Sequence, residues 1–550
     1  MQATRERTGG LANIGNPPCD VGVIRSRKAD APCVPTAGPW ILAATIIGSA
    51  MAFIDSTVTN VALPQIQARL GATALDAQWI VESYALFLSA LILVGGSLGD
   101  HYGRRRIFSL GIIIFTLASV WCGLSTTPGM LIAARAVQGV GGAMLVPGSL
   151  AIISASFEGE ERGKAIGTWA GLSGVTTALG PVLGGFLVEN VSWRAAFLIN
   201  VPLAIVVLLI AYRHVPESRD PDARKLDIPG AAFATLGLGG VVYGLISSAE
   251  AGFDNVRVIL ALVLGIGSLI AFVVWERRAK EPMMPLSMFR SRNFSGANIL
   301  TLLLYAGLGG ALYFLPFLLI QVHDYSATAA GASFLPFTII TFLMSRWAGG
   351  LITRFGARLP LTTGPLIAAA GFILFAVPGT EGSYWTTFFP AIVVLGLGMS
   401  LVIAPLTTTA MSSVSGSHSG LASGVNNAVS RTAGLLAIPV LGFFVFLAFS
   451  GSLDARVQNL ELSRGAQQEL EAEKVNLGGA EVPSGVSEET GEEIETVIEE
   501  SFLAAFRLAM FIAAGSAVAS AVAAAIIIEG KGRAAPAERV GRPEGETSPA

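Results

Sequence analysis

The chain has 550 residues, of which 52% are hydrophobic and only 13% charged, with a mean hydropathy of +0.64 and a net charge of −3. So few charges cannot clothe a soluble protein of this size, where about 25% charged residues is usual. The apolar content excludes disorder, and the charge offers no basic footprint for nucleic acid. We expect an all-α protein that crosses a lipid bilayer many times.

Residues 1–39 are polar and broken by Pro17, Pro18, Pro32, Pro35 and Pro39. They read as a disordered tail rather than a cleavable signal peptide. Fourteen stretches then meet the need for about 20 mostly apolar residues per spanning helix. They cover 40–62, 79–98, 107–125, 130–153, 165–188 and 195–212, then 229–248 and 257–275. The last six cover 294–320, 328–352, 359–378, 383–409, 421–449 and 501–528. With the N-terminus inside, the internal segments hold 25 Lys and Arg and the short external loops three, Arg69, Arg194 and Arg257. That asymmetry puts both termini in the cytoplasm of a cell membrane. Residues 450–500 form one long external segment with 13 acidic and three basic residues. It reads as a solvated acidic loop, or as a cap that gathers cations at an external mouth. Ile494, Val497, Ile498 and Phe502 fall at helical spacing, so its end is expected to continue into the last span.

Weak self-similarity divides these spans. Gly96-Ser-Leu98-Gly-Asp100 and the Gly103 turn return as Gly349-Gly-Leu351-Ile-Thr353 and Gly356. Gly139, Gly163, Gly167 and Gly185 return as Gly396, Gly420, Gly424 and Gly442. Repeats of this kind imply two pseudo-symmetric six-helix bundles, 40–212 and 294–528. The linker 213–293 then carries two inserted helices, and 529–550 is a cytoplasmic tail.

Cys19, Cys33 and Cys122, with His101, His214, His323 and His418, have no metal-ligand or disulfide spacing, so no metal and no cofactor is expected. Gly139-Val-Gly141-Gly142 lies inside a span, and Gly159-Glu-Glu-Arg-Gly163-Lys164 lacks the hydroxyl and spacing of a phosphate-binding loop. Energy must come from an ion gradient. No nucleophile–base pair is legible, so an enzyme is not expected.

Intramembrane ionisable groups are functional candidates, because each costs about 2.5–3.5 kcal/mol to insert. Asp55, Glu82, Arg135, Arg346 and Arg431 stand within expected spans. At about 1.5 Å per residue, Asp55 and Arg135 lie at similar depth, some 10 Å from the external ends of their helices. Burial disfavours a charged carboxylate and a neighbouring arginine favours it, so small changes could bind or release a proton. Asp55 is the main candidate, Arg135 its modulator and Glu82 a second acid. The plainer alternatives are a packing acid bonded to Thr57 or Asn60, an arginine snorkelling outward, and an interfacial acid reaching headgroup water. Asn426, Asn427 and Arg431 are candidates for the cavity wall of the C-terminal half, with a structural inter-helix bond as the alternative. Arg346 is expected to snorkel inward and Arg507 to anchor at the outer interface.

The sequence resembles the major facilitator superfamily, and within it the 14-helix drug:proton antiporters, over about 40–530. The first span carries Asp55-Ser-Thr57-Val-Thr-Asn60-Val-Ala-Leu-Pro64, similar to that family's first-helix signature. The loop Gly96-Ser-Leu98-Gly-Asp100-His-Tyr-Gly103-Arg104-Arg105-Arg106 resembles the superfamily's loop motif. Arg135-Ala-Val-Gln138-Gly139 resembles the motif linked with proton coupling. Gly180-Pro181-Val-Leu-Gly184-Gly185 resembles the antiporter motif, with Thr176 where a glycine is usual. The resemblance brings Asp55 and Arg135 to one wall of a central cavity. It also implies an inner gate in which Asp100, with Gly96, Gly103, Arg104 and Arg105, meets the helix start near Ser419-Gly420. Physically, Gly96 and Gly99 allow close helix packing, Gly103 allows a tight turn, and Gly180-Pro181 with Gly184-Gly185 gives a bendable helix.

The implied function is proton-coupled export of lipophilic, cationic drugs or toxic metabolites by alternating access. The partners are then a small-molecule cargo, protons and the bilayer. The alternatives are a dedicated exporter of one endogenous metabolite, lipid or amino acid, and a non-transporting membrane receptor.

Overall fold

A computed structural model describes residues 37–157, 159–220, 226–380, 382–414, 419–458, 460 and 462–530. Most of both expected tails, 1–36 and 531–550, lies outside the described residues. Among those described there are helices and no strands. Thirteen helices are long and apolar enough to cross a membrane. The 32-residue helix Gly159–Asn190 contains the remaining expected stretch, 165–188.

The first group of helices is α1 (Gly38–Leu70), α2 (Ala74–Tyr102), α3 (Arg104–Gly123), α4 (Pro128–Ser156), α5 (Gly159–Asn190), α6 (Ala195–Leu198) and α7 (Asn200–His214). Local chemistry sets their ends. Gly71 closes α1 at φ 61°, a backbone shape that suits glycine. Thr73 and Asp76 form a reciprocal capping box at the start of α2, which satisfies two amide groups that the helix itself leaves unpaired. Within this group α4 packs on α2 and α3, while α1 packs on α5 and α7.

Next come α8 (Ile228–Ala251) and α9 (Val256–Arg278), a hairpin in which Gly240 and Gly265 bring the two backbones together. The hairpin leans on α2 and on the later helix Ser419–Val457. Val263, Leu264 and Ile270 of α9 are 60–69% exposed, as expected of a lipid-facing surface.

The second group is α10 (Arg292–Gln321), α11 (Ala327–Ala332), α12 (Leu335–Phe355), α13 (Arg358–Phe375), α14 (Tyr384–Thr387), α15 (Phe389–Ser412), α16 (Ser419–Val457), α17 (Arg464–Glu473) and α18 (Glu488–Ile527). Here α15 packs on α12 and α13, and α10 packs on α16 and α18. The two groups meet along α2 against α16 and α5 against α11 and α12. Three expected stretches, 195–212, 328–352 and 383–409, are interrupted near their starts, giving the short helices α6, α11 and α14.

The acidic segment differs from a solvated loop. Helix α16 runs on to Val457, and α18 begins at Glu488 with Ile494, Ile498 and Phe502 buried. Between them, α17 and a 3-10 turn (Lys474–Gly479) fold back onto the bundle. Lys474 is almost fully enclosed, 2.6 Å from Asp454, and also pairs with Glu471. Burial alone would lower the Lys474 pKa; the bonds to Asp454 and Glu471 outweigh it and raise it. Val475 and Leu477 meet Ala74, Leu75 and Gln78 of α2 beside Gly442 and Phe446 of α16. The turn thus straddles the seam between the two helix groups at one end of the molecule, the acidic end. The opposite end carries Arg104, Arg105, Arg106 and Arg358 and is called the basic end.

Candidate functional site

The core of the first group holds a closed polar network. Asp55 and Arg135 are each 1% exposed and form an ion pair. The Arg135 Nη1 also donates to Gln138 Oε1 at 2.8 Å, and its Nε donates to the Ile80 carbonyl at 3.1 Å. The other Asp55 oxygen accepts from Gln138 Nε2 at 2.7 Å and from Asn200 Nδ2 at 3.2 Å. Asn200 and Gln138 both donate to Ser119 Oγ, at 2.9 and 3.3 Å. The guanidinium lies 4.3 Å from the Tyr84 ring centroid. A buried ion pair is tolerated when its remaining polar atoms are satisfied, and here four helices and the Ile80 carbonyl supply the partners.

Two expectations change. Asp55 does not bond the Thr57 or Asn60 side chains; Thr57 donates to backbone oxygens of its own helix. Asp55 also lies near mid-helix rather than close to an external end. Helix α1 continues 15 residues past it to Leu70, about 22 Å of rise, because Pro64 is accommodated inside the helix instead of ending it. In this conformation the Asp55 carboxyl is enclosed and lines no passage.

Glu82 is fully buried, and neither carboxyl oxygen has a hydrogen-bond partner among the described residues. It does not reach headgroup water. It stands near enough to Tyr313 of α10 to act on it electrostatically, so it lies at the seam between the groups. A proton or a cation could satisfy it. Asn426 donates to Asn298 Oδ1 (3.1 Å) and Thr301 Oγ1 (2.8 Å), joining α16 to α10. That is the inter-helix bond rather than the cavity wall. Asn427 is exposed and lines a cavity. Arg431 is partly exposed, 5.4 Å from the Phe53 ring centroid. The Arg346 side chain lies outside the described residues. Arg507 donates to the Pro378 carbonyl at 2.7 Å.

The cavity, about 610 Å³, opens at the basic end between the groups. Gly96, Asp100 and Arg104 line one side, and Leu421, Gly424 and Asn427 of α16 the other. The two helix groups therefore stand apart at this end. Asp100 pairs with Arg104 at 2.7 Å and forms no ion pair across the gap among the described residues. The Ser419 and Gly420 side chains, its expected partners, lie outside the described residues. Gly96 and Gly99 face ordinary or open space; the close approach is made by Gly95, where an added Cβ would stand 1.9 Å from the Ala143 carbonyl oxygen.

Gly103 turns the chain at φ 113° and starts α3 without a side-chain cap. The cap comes from a distance. Glu217 Oε1 accepts from the Arg105 amide at 3.1 Å, and Oε2 lies 3.8 Å and 3.6 Å from the Arg105 and Arg106 guanidinium groups. Any Cβ at position 103 would meet that carboxylate at 2.6 Å. Replacing Glu217 with Ala should lower stability by about 1 kcal/mol, the usual cost of losing an N-terminal cap. Thermal unfolding of the detergent-solubilised protein would measure it.

At the acidic end the groups are pressed together. An added Cβ on Gly185 would stand 2.2 Å from the Ala327 carbonyl oxygen, and one on Gly331 2.0 Å from that of Pro181. Gly180 and Gly184 take Thr57 and Val58 of α1 in the same way. Glu189 accepts from the Thr328 amide at 3.2 Å, and Tyr384 donates to the Ser333 carbonyl at 2.9 Å. The Gly-Pro motif thus serves as the inner face of an end seal.

Ser119, Tyr84 and Asn200 complete the network around Asp55 without having been singled out in the sequence, where Gln138 stood only within the Arg135 motif. Their signal is a polar or phenolic group in a long apolar run, weaker than a formal charge because an amide costs less to bury.

The family model described as Major Facilitator Superfamily matches residues 45–439. The multidrug resistance protein Stp of Mycobacterium tuberculosis is 33% identical over 423 residues, covering 76% of this chain and 78% of that one. A puromycin resistance protein of Streptomyces alboniger is 36% identical over 430 residues, covering 76% and 85%. The tetracenomycin C resistance and export protein of Streptomyces glaucescens is 33% identical over 407 residues, covering 74% and 75%. Among solved structures, a bacterial homologue of the human lysosomal transporter Spinster matches with a TM-score of 0.65 and 19% identity, covering 92% of this chain and all of that one.

Proposed function

Because the chain belongs to the Major Facilitator Superfamily, as a multi-pass membrane transporter of small molecules whose relatives are drug-resistance and export proteins, we propose that it exports lipophilic drugs or toxic metabolites in exchange for protons. This agrees with the 14-helix drug:proton antiporters. The observation that carries the reading is the juxtaposition of a sealed acidic end, an open basic end and an enclosed Asp55–Arg135 pair. With the basic end in the cytoplasm of a cell-membrane protein, this is the state after a proton has left and before cargo has loaded. An ion pair requires Asp55 as a carboxylate. Protonation would weaken its hold on Arg135, and the network through Gln138 and Asn200 would relax with it. Glu82, enclosed at the seam, is a second group whose charge state can bias the two helix groups. Asp100 is the residue on the first group placed to meet α16 when the basic end closes, with the loop held by Glu217 and Gly103.

The test uses purified protein in liposomes with an imposed proton gradient and ethidium as cargo. Ethidium should accumulate against its gradient and stop when a protonophore is added. Accumulation that continues at the same rate without the gradient would reject antiport. A dedicated exporter of one endogenous metabolite, lipid or amino acid is the second reading. Competition by unrelated lipophilic compounds separates the two, since a multidrug pump is inhibited by many and a dedicated one by few.

A further inference from the structure

The inner cavity leads toward one guanidinium group that the proton chemistry leaves unused. Arg431 sits on α16 one turn beyond Asn427, and residues four apart share a helix face. Asn427, Gly424 and Leu421 line the cavity, and Arg431 follows on the same helix face one turn deeper than these lining residues. The side chain is partly exposed. Its neighbours across the seam are aromatic. Phe53 lies 5.4 Å from the guanidinium carbon, and Tyr84 is close to both Arg431 and Arg135. Among the described residues no carboxylate lies within ion-pair distance of Arg431.

The acids nearby are spoken for. Asp55 is closed by Arg135, Gln138 and Asn200. At the cavity rim, Asp100 holds Arg104, and Asp227 accepts from the Gly230 and Met283 amides and from Trp275. Asp220 and Glu281 have interactions of their own within the chain. The charge that remains for a cargo to answer is positive. An arginine at membrane depth without an anion is costly, and a bound carboxylate or sulfonate removes that cost with paired, charge-assisted bonds. The walls suit the rest of such a molecule, since Ile92, Leu93, Val146, Leu150, Trp169 and Met283 face the same space.

We propose that Arg431 recognises an anionic group on the cargo, so that the exported class includes amphiphilic organic acids with an apolar or aromatic body. This rests on the exporter reading and names its substrate class. A preference for cations would need a free acid on the cavity wall, and among the described residues the acids there are engaged or enclosed.

The experiment compares two probes in proton-driven proteoliposomes, 8-anilinonaphthalene-1-sulfonate and ethidium, each quantified by filtration. Wild type should export the sulfonate. Arg431→Gln should lower the sulfonate-to-ethidium rate ratio about tenfold or more, and Arg431→Lys should restore a large part of it. A ratio unchanged by Arg431→Gln, including one in which both rates fall together, would overturn the proposal. So would ethidium export by wild type without sulfonate export, which leaves the exporter reading standing. Block of dye export by excess inorganic sulfate would reassign the site to small anions and overturn it too. If wild type moves neither probe, the exporter reading itself fails.

Discussion

Asp55→Asn should abolish proton-driven export, with a loss on the order of a hundredfold or more, the usual scale for removing a group that carries a proton. The replacement keeps the shape and can still accept from Gln138 and Asn200. It cannot exchange a proton, and it leaves Arg135 enclosed without a counter-charge. Breaking one partner of a buried pair costs about 3–5 kcal/mol, so the variant should also melt earlier. The second change Arg135→Gln separates the effects. In the Asp55→Asn background it should recover much of the lost stability and none of the transport. Transport in liposomes and thermal unfolding check both halves. Wild-type transport in Asp55→Asn would remove this residue from the coupling mechanism.

Gly331→Val should open the end seal. The added side chain would meet the Pro181 carbonyl, which is backbone and cannot swing aside. Either the two helix groups separate at the acidic end or the chain strains; overpacking of this kind costs about 1–3 kcal/mol. Since Gly185 meets Ala327 one turn away, the seal should yield over that whole contact. A cysteine placed at Ala327 would report it. It should react slowly with a membrane-impermeant thiol reagent in the otherwise unchanged protein, and at least several-fold faster with Gly331→Val. Equal labelling would show that α5 and α11 do not form the seal.

Much of this architecture was legible in the sequence, because crossing a bilayer demands long apolar runs that nothing else in a chain imitates. Asp55 and Arg135 were legible as candidates because formal charges inside such runs are costly; that they share one wall was implied only by the family resemblance. What surrounds them was not legible. Asn200 begins α7 because the chain breaks at Ile199, where Pro202 lacks the amide that would bond Leu198; the sequence marks the break but not that it turns Asn200 toward Asp55. Glu82 was read as a second proton-coupling acid with headgroup water as the plainer alternative, because its helix was counted alone; its burial beside α10 became visible only in the fold. The segment 450–500 was read as solvated from its charge, yet Leu470, Leu477 and Ile494 are buried and Lys474 gathers two of its acids. Sparse apolar residues among many acids give a weak signal until their partners on α2 and α16 are known. The expected partners of Asp100, Ser419 and Gly420, have side chains outside the described residues.

Helix α16 has one more consequence. Its 39 residues run from Ser419 to Val457, past the cavity wall at Asn427 and past Asp454, where Lys474 grips it, a rod of about 58 Å. Rocking such a lever by about 10° displaces one tip by roughly 10 Å relative to the other. The fold around Lys474 at the acidic end is therefore mechanically geared to the doorway at the basic end, and stapling it to α2 with a crosslink should jam the machine.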